Sequence, residues 1–172
     1  MLGISWSASR KRLFRVHGSR LGRYTLNLLI ISLTICQEFE NMVVTKEILD
    51  ELSAKAKENP RLRQSMDLRN SPEDLSQRML NALEPGTVMP IHRHRSSTET
   101  VVILRGKIQW VFYDDNGKET ERVTLDANGW PRMLNVEKDR WHSLVCLESG
   151  SVLFESKDGA YRPLGEDEIM NI

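Results

Sequence analysis

His92 and His94 stand two residues apart in the run Gly86 to Gly106, GTVMPIHRHRSSTETVVILRG, and Glu99 follows five residues after His94. Side chains at i and i+2 of an extended segment project to the same face, so the two imidazoles would share one. Thr100-Val101-Val102-Ile103-Leu104 is rich in β-branched residues and reads as the next strand, with Glu99 at its entrance. A short loop between His94 and Glu99 would then bring two imidazole nitrogens and a carboxylate oxygen together. These are ligands for a divalent first-row metal. The competing reading of His-Arg-His-Arg is a basic, solvated turn.

The spacing decides between the two. From Gly86 to Gly106 the residues fall as G-x5-H-x-H-x4-E-x6-G, which resembles the first motif of the cupin proteins with every fixed position filled. The resemblance implies a fourth ligand on a later strand, where His142 is the histidine present; His17 lies in an unrelated basic stretch. The second cupin motif, G-x5-P-x-G-x2-H-x3-N, keeps only that histidine. Glu137 stands at the proline position, Asp139 at the glycine and Cys146 at the asparagine, so the turn before His142 is expected to be built differently. Cys146 shares strand parity with His142 and is read as a small apolar core residue ahead of a soft ligand.

The region from Met42 to about Leu164 resembles, more narrowly, the small cupin-fold metalloproteins of the WbuC family. The resemblance lies in PRLRQSMDL (Pro60 to Leu68), QRMLNALEPGT (Gln77 to Thr87), the His-x-His motif, and RWHSLVCLESGSVLFESKDGAY (Arg140 to Tyr161). It implies an all-β, double-stranded β-helix (a cupin jelly roll) and a metal centre of His92, His94, Glu99 and His142. It links the chain to bacterial surface-polysaccharide metabolism and brings no settled reaction.

The elements that must position these residues follow from pattern. Thr45 to Glu58 reads as a short helix, with Thr45 as N-cap, an apolar face of Ile48, Leu49, Leu52 and Ala56, and a stop at Asn59-Pro60. Arg61 to Glu73 is polar and loop-like, Pro72 to Leu75 could start another helical turn, and Gln77 to Glu84 could equally be the first strand. Beyond residue 85, strands recur about every ten residues: Lys107 to Tyr113, Glu119 to Leu125, Arg132 to Val136, Trp141 to Leu147 and Ser151 to Ser156. Asp114-Asp115-Asn116-Gly117 is a hairpin turn. Two sheets closing on each other account for this rhythm. Trp110 and Trp130 are read as core or rim packing. The organisation expected is an atypical extension (1–41), a helix-and-loop segment (42–78), a β-barrel (79–164) and a solvated tail (165–172).

The chain of 172 residues has zero formal net charge, divided into +4 over residues 1–41 and −4 over the remainder. A slightly acidic body has no electrostatic footprint for nucleic acid. Cys36 and Cys146 are too few for a disulfide framework, which favours a reducing, cytoplasmic setting. The basic stretch Arg10 to Arg23 followed by the apolar Leu26 to Cys36 has the outline of a signal but is too short for a stable membrane span. Because Met42 begins MVVTKEILDEL, where this family starts, residues 1–41 are read as a mis-called start or a signal-like segment and left out of the fold argument.

Three neutral imidazoles and one carboxylate around a 2+ ion leave open positions, the mark of a catalytic or ligand-binding centre. The donor set accepts Fe, Mn, Ni, Co or Zn. Three functions follow: an isomerase-like or lyase-like enzyme on a sugar or sugar-nucleotide intermediate, an Fe(II)-dependent dioxygenase, or a non-catalytic metal-dependent binding or sensing module. The expected partner is a small molecule, with a carbohydrate as the candidate class, and a homodimer is favoured by the prevalence of two-fold symmetry. Arg63, Arg69 and Arg78 are candidates to steer an anionic substrate, against an alternative role in surface ion pairs. Glu155, Tyr113 and Gln109 are candidate cavity residues whose facing depends on register.

Overall fold

The structure, a computed structural model, describes residues 41–171. The extension with His17 and Cys36 lies outside the described residues. Among the described residues one α-helix, α1 (Lys46–Glu58), precedes eight strands. Thr45 occupies its N-cap with extended backbone, although its hydroxyl makes no capping hydrogen bond. The helix stops at Asn59, where the following proline biases the backbone to the extended conformation observed.

The strands are β1 (Arg63–Asp67), β2 (Ser76–Leu83), β3 (Glu99–Arg105), β4 (Lys107–Tyr113), β5 (Glu119–Asp126), β6 (Met133–Val136), β7 (Trp141–Cys146) and β8 (Ser151–Asp158). They form a five-stranded sheet ordered β1-β2-β8-β3-β6 and a three-stranded sheet ordered β5-β4-β7. All pairings are antiparallel. This is the double-stranded β-helix expected, with the short helix ahead of it. The sheet begins earlier than the sequence indicated: Arg63–Asp67, read as polar loop, pairs along β2 from Leu83 to Met79. An edge strand with one solvated face carries too little apolar alternation to stand out.

Two apolar layers hold these elements. Val101, Ile103, Ile108, Trp110, Leu125 and Leu153 fill the space between the sheets. On the outer face of the large sheet, Leu52 and Ala56 of α1 pack on Leu80, Ala82 and Val152. Period-2 alternation along β2 therefore sends Leu80 and Ala82 to the helix and leaves Gln77, Met79, Asn81 and Leu83 to line a cavity between the sheets. Arg105 fastens the helix to the barrel, donating to Gly150 O at 2.9 Å and Leu49 O at 2.7 Å. The hairpin turn forms at Asp114–Gly117, where Asp114 Oδ1 accepts from the backbone of Asn116 and Lys118 and Gly117 takes φ +76°.

The described residues of the segment expected to be a solvated tail, 165–171, are held against the barrel. Glu166–Glu168 is a turn of 3-10 helix, Glu168 is buried, and the chain then runs beside His92. The apolar content of GEDEIMNI is too small to signal this. What holds the segment is backbone hydrogen bonding and one buried carboxylate.

Candidate metal centre

The His92–His94 segment is extended without being a regular strand. It lies between β7 and the C-terminal segment and bonds to both. His92 N donates to His142 O at 2.9 Å and His142 N to His92 O at 2.8 Å. On the other edge, Arg93 N donates to Glu168 O at 3.0 Å and Met170 N to Ile91 O at 2.9 Å. Side-chain alternation is kept, so His92 and His94 point the same way, towards His142 on β7. One ring nitrogen from each of the three lies within 4.8 Å of the others. Glu99, the first residue of β3, comes from the facing sheet. Its Oε2 lies 3.3 Å from His94 Nε2 and 3.5 Å from His142 Nε2.

Two backbone carbonyls fix which nitrogen of each ring faces inward. His92 Nδ1 lies 3.0 Å from Pro90 O, and His142 Nδ1 lies 2.8 Å from Arg140 O. A carbonyl only accepts, so each Nδ1 carries the proton and each Nε2 presents a lone pair to the centre. Trp110 stacks against His142 with ring centroids 5.9 Å apart, closing the floor. Burial, helped by the nearness of His142, pushes His92 down to about 4, so its imidazole is neutral at physiological pH. Burial alone would raise the Glu99 carboxyl, but His142, His94 and Lys157 outweigh it and hold it well below the usual carboxylate range. The centre is thus three imidazoles, that of His92 neutral, and an ionised carboxylate.

Whether this set suits a metal can be tested on its orphaned atoms. Glu99 Oε2 and His142 Nε2 are buried and have no hydrogen-bond partner among the described residues. An unsatisfied buried polar group costs about 1–3 kcal/mol, so two facing lone pairs are not a stable structural arrangement alone. Donors about 2.1 Å from a shared ion sit roughly 3–4 Å apart, and Glu99 Oε2 lies 3.3 and 3.5 Å from the Nε2 atoms of His94 and His142. The residues fit a divalent ion.

The cavity above the centre, about 450 Å³, is the size of a small-molecule site. Lys157 and Glu155 of β8 reach into it. Lys157 stands opposite Glu99 in the β3–β8 register, pairs with Glu155, and brings its Nζ to 3.3 Å from His94 Nε2. Asn81 donates to Glu155 at 2.9 Å from the neighbouring strand. Burial, followed by the Glu99 charge, pushes the Glu155 carboxyl up to about 7. Burial opposes the Lys157 charge, yet Glu99 and Glu155 raise its affinity for the proton overall.

Of the candidates read from sequence, the structure brings His92, His94, Glu99 and His142 together. Glu155 lines the cavity; Tyr113 and Gln109 do not, and Gln109 bonds Thr124 at 3.2 Å and Arg122 at 2.6 Å. Arg69 and Arg78 are engaged by Asp67 and Asp74, whereas Arg63 lines the cavity. Cys146 is buried in the apolar core with its thiol directed at Leu83 O and Glu148 O, away from the histidines. Lys157 was missed. The parity shared by Glu155 and Lys157 was its one signal, and it became readable only once Glu99 was fixed opposite.

The turn before His142 also departs from expectation. Asp139, at the motif's glycine position, has φ +67°, the left-handed conformation a glycine would take. The turn is therefore kept. Aspartate tolerates that region better than most residues. Its backbone N donates to His94 O at 2.8 Å, and its carboxylate lies 3.3 Å from Arg93 and 3.5 Å from Arg95.

A family model described as a domain of unknown function (DUF6016) matches residues 44–125. No curated protein matches the chain. Among solved structures, it is similar to the capsular polysaccharide assembling protein CapF from Staphylococcus aureus. That match has 17% identity and a TM-score of 0.51, and covers 61% of this chain and 30% of CapF. The chain therefore spans less than a third of that relative. It is also similar to the cupin domain of Schizosaccharomyces pombe Cnp3, at 14% identity and TM-score 0.45, covering 56% of this chain and 64% of that one. KdgF from Halomonas sp. matches at 15% identity and TM-score 0.45, covering 60% of this chain and 84% of KdgF. At 17% identity the likeness to CapF shows the fold alone, two antiparallel sheets closed as a jelly roll.

Proposed function

We propose that this chain is a metal-dependent cupin of the WbuC type. On this reading it holds one divalent transition metal through His92, His94, Glu99 and His142. Its ligand is a sugar or sugar-nucleotide intermediate of bacterial surface-polysaccharide metabolism, and its setting is the cytoplasm, as a homodimer. The observation that carries the metal is the pair of buried, unpartnered atoms Glu99 Oε2 and His142 Nε2 facing one another across 3.5 Å. The substrate class has support from the WbuC resemblance. CapF, itself described as a capsular polysaccharide assembling protein, has the same fold.

When bound, a divalent ion supplies Lewis-acid polarisation of a ligand oxygen. The chain's own residues do the rest. Pro90 O and Arg140 O hold the imidazole rings in register, and Trp110 and the apolar core shut water out from below. Lys157 carries a positive charge to the rim of the centre, where a ligand carboxylate, phosphate or developing oxyanion would meet it. Glu155, oriented by Asn81, is the group placed to accept or return a proton at Oε1. That is the equipment of an isomerase-like or lyase-like reaction.

Elemental analysis of the full chain, purified without chelator or metal-affinity steps, tests the reading. About one equivalent of metal that is lost in a His92→Ala, His94→Ala variant is the expected result. Iron would direct assays to oxygen uptake, and zinc, nickel or manganese to isomerisation. No metal after anaerobic reloading would overturn the reading.

A further inference from the structure

The cavity extends well beyond the metal centre, and its far end is cationic. Arg61 and Arg63 both line it. Most arginines in the described residues are neutralised, as Arg69 is by Asp67 and Arg78 by Asp74. Arg61 and Arg63 are the exceptions inside the cavity: no carboxylate lies within ion-pairing distance of either among the described residues. Around Arg63, partial burial is joined by repulsion from Arg61, with no acidic group to offset either. Its guanidinium contact is Met89 Sδ, a weak acceptor for a group with five donors. The backbone between them is also set specifically. Leu62 has φ +54°, an uncommon conformation for leucine, and Glu84 N fixes the turn by donating to Leu62 O at 3.0 Å.

Strand register gives the distance between the two ends. Arg63 of β1 stands opposite Leu83 of β2, while Lys157 of β8 stands opposite Gln77 of the same strand. The two levels are separated by the stretch from Gln77 to Leu83, about 20 Å at roughly 3.3 Å per residue. That is a backbone separation; the Arg63 side chain reaches back from it to Met89, three residues before His92, which shortens the gap between its guanidinium and the centre. The lining between includes the polar side chains of Gln77, Asn81, Ser65 and Glu155 and the apolar ones of Leu144 and Leu153.

We infer that Arg61 and Arg63 form an anion subsite for the phosphate or diphosphate of an extended ligand whose hydroxyl-bearing end lies at His92, His94, Glu99 and His142. Two unpaired guanidiniums suit a phosphoryl group because their planar forks match its oxygens, and a diphosphate ester offers a set to each. Gln77 and Ser65 line the stretch between, where the sugar hydroxyls would lie. The ligand's orientation rests on the metal reading above. The anion subsite does not, since neither arginine is among the four metal ligands.

The test is calorimetric titration of the full chain with uridine diphosphate glucose, inorganic pyrophosphate, glucuronate and glucose. It is run on metal-loaded protein and again after chelation. Pyrophosphate binding should survive chelation, weaken with salt, and fall at least tenfold in Arg63→Met and in Arg61→Met, with Arg63→Lys in between. Arg69→Met and Arg78→Met should bind as the unmodified chain does. Uridine diphosphate glucose should bind more tightly than pyrophosphate to the metal-loaded form only. Undiminished pyrophosphate binding in folded Arg63→Met, or a glucuronate affinity above that of pyrophosphate, would overturn the subsite. So would absence of pyrophosphate binding to chelated protein that circular dichroism shows to be folded. Metal content, measured separately, reports on the centre alone, so the two readings fail independently.

Discussion

Glu99 Oε2 and His142 Nε2 lie 3.5 Å apart in the interior, each without a hydrogen-bond partner among the described residues. The proton of His142 is on Nδ1, donated to Arg140 O, so both atoms present lone pairs. Lone pairs at that distance attract only through something positive held between them. The sequence separation of forty-three residues is closed by β3 and β7 coming from opposite sheets.

Removing the metal should therefore destabilise the fold as well as silence the site. With free metal at a hundred times its dissociation constant, binding contributes about 2.7 kcal/mol, and chelation should lower Tm by several degrees. Glu99→Gln and His142→Ala should bind metal at least tenfold more weakly and show little further loss on chelation. Differential scanning calorimetry with and without chelator checks this. An identical Tm in both conditions for the unmodified chain would argue against the centre.

Glu168 gives the acid limb of stability a specific origin. Arg162 grips both carboxylate oxygens at 2.6 Å, and the backbone of Gly165 and Arg95 donates to it at 2.9 and 3.1 Å. The Arg162 guanidinium, against the opposing effect of burial, holds the carboxyl well below its ordinary value near 4.5. A lowered carboxylate contributes stability above its unfolded pKa and loses it as pH falls towards the folded one. Stability should thus decline steadily below about pH 4.5. Glu168→Gln should lower Tm at pH 7 and flatten that decline, measured by thermal melts from pH 7 to 3. A parallel acid limb in the variant would show that other carboxylates dominate.

Asp139 should tolerate glycine and resist alanine. Its φ of +67° costs a Cβ-bearing residue without a helpful polar side chain about 1–2 kcal/mol. Asp139→Ala should lose roughly that much in urea denaturation, Asp139→Asn little, and Asp139→Gly less than alanine despite losing the contacts to Arg93 and Arg95. Equal losses for glycine and alanine would locate the effect in the carboxylate instead.

Gly106 closes the first motif for a steric reason. It has φ +75°, and a Cβ there would sit 2.9 Å from Ser151 Cα on the adjoining strand, a backbone atom that cannot move aside. Gly106→Ala should cost about 2 kcal/mol or more, from strain and displacement of β8 together. Expression yield and denaturation midpoint both read this, and a near-normal midpoint would contradict the packing.

The grouping of these side chains was legible in the chain because its information is local: parity sets His92 and His94 on one face, β-branched residues mark β3, and the motif spacing places Glu99 and Gly106. The strands from Lys107 to Ser156 were legible for the same reason, since turns and alternation are written within ten residues. What the tertiary structure alone decided is non-local. Register across β1, β2 and β8 turned Arg63 and Lys157 towards one cavity, although neither position has a pattern that says so. Pairing between distant segments brought the C-terminal stretch onto the His92 backbone and buried Glu168, in a segment whose composition reads as solvated. Hydrogen bonding between backbones carries no side-chain signature. Chemistry that depends on residue type can therefore be read from the chain, while chemistry that depends on which backbone lies alongside which cannot.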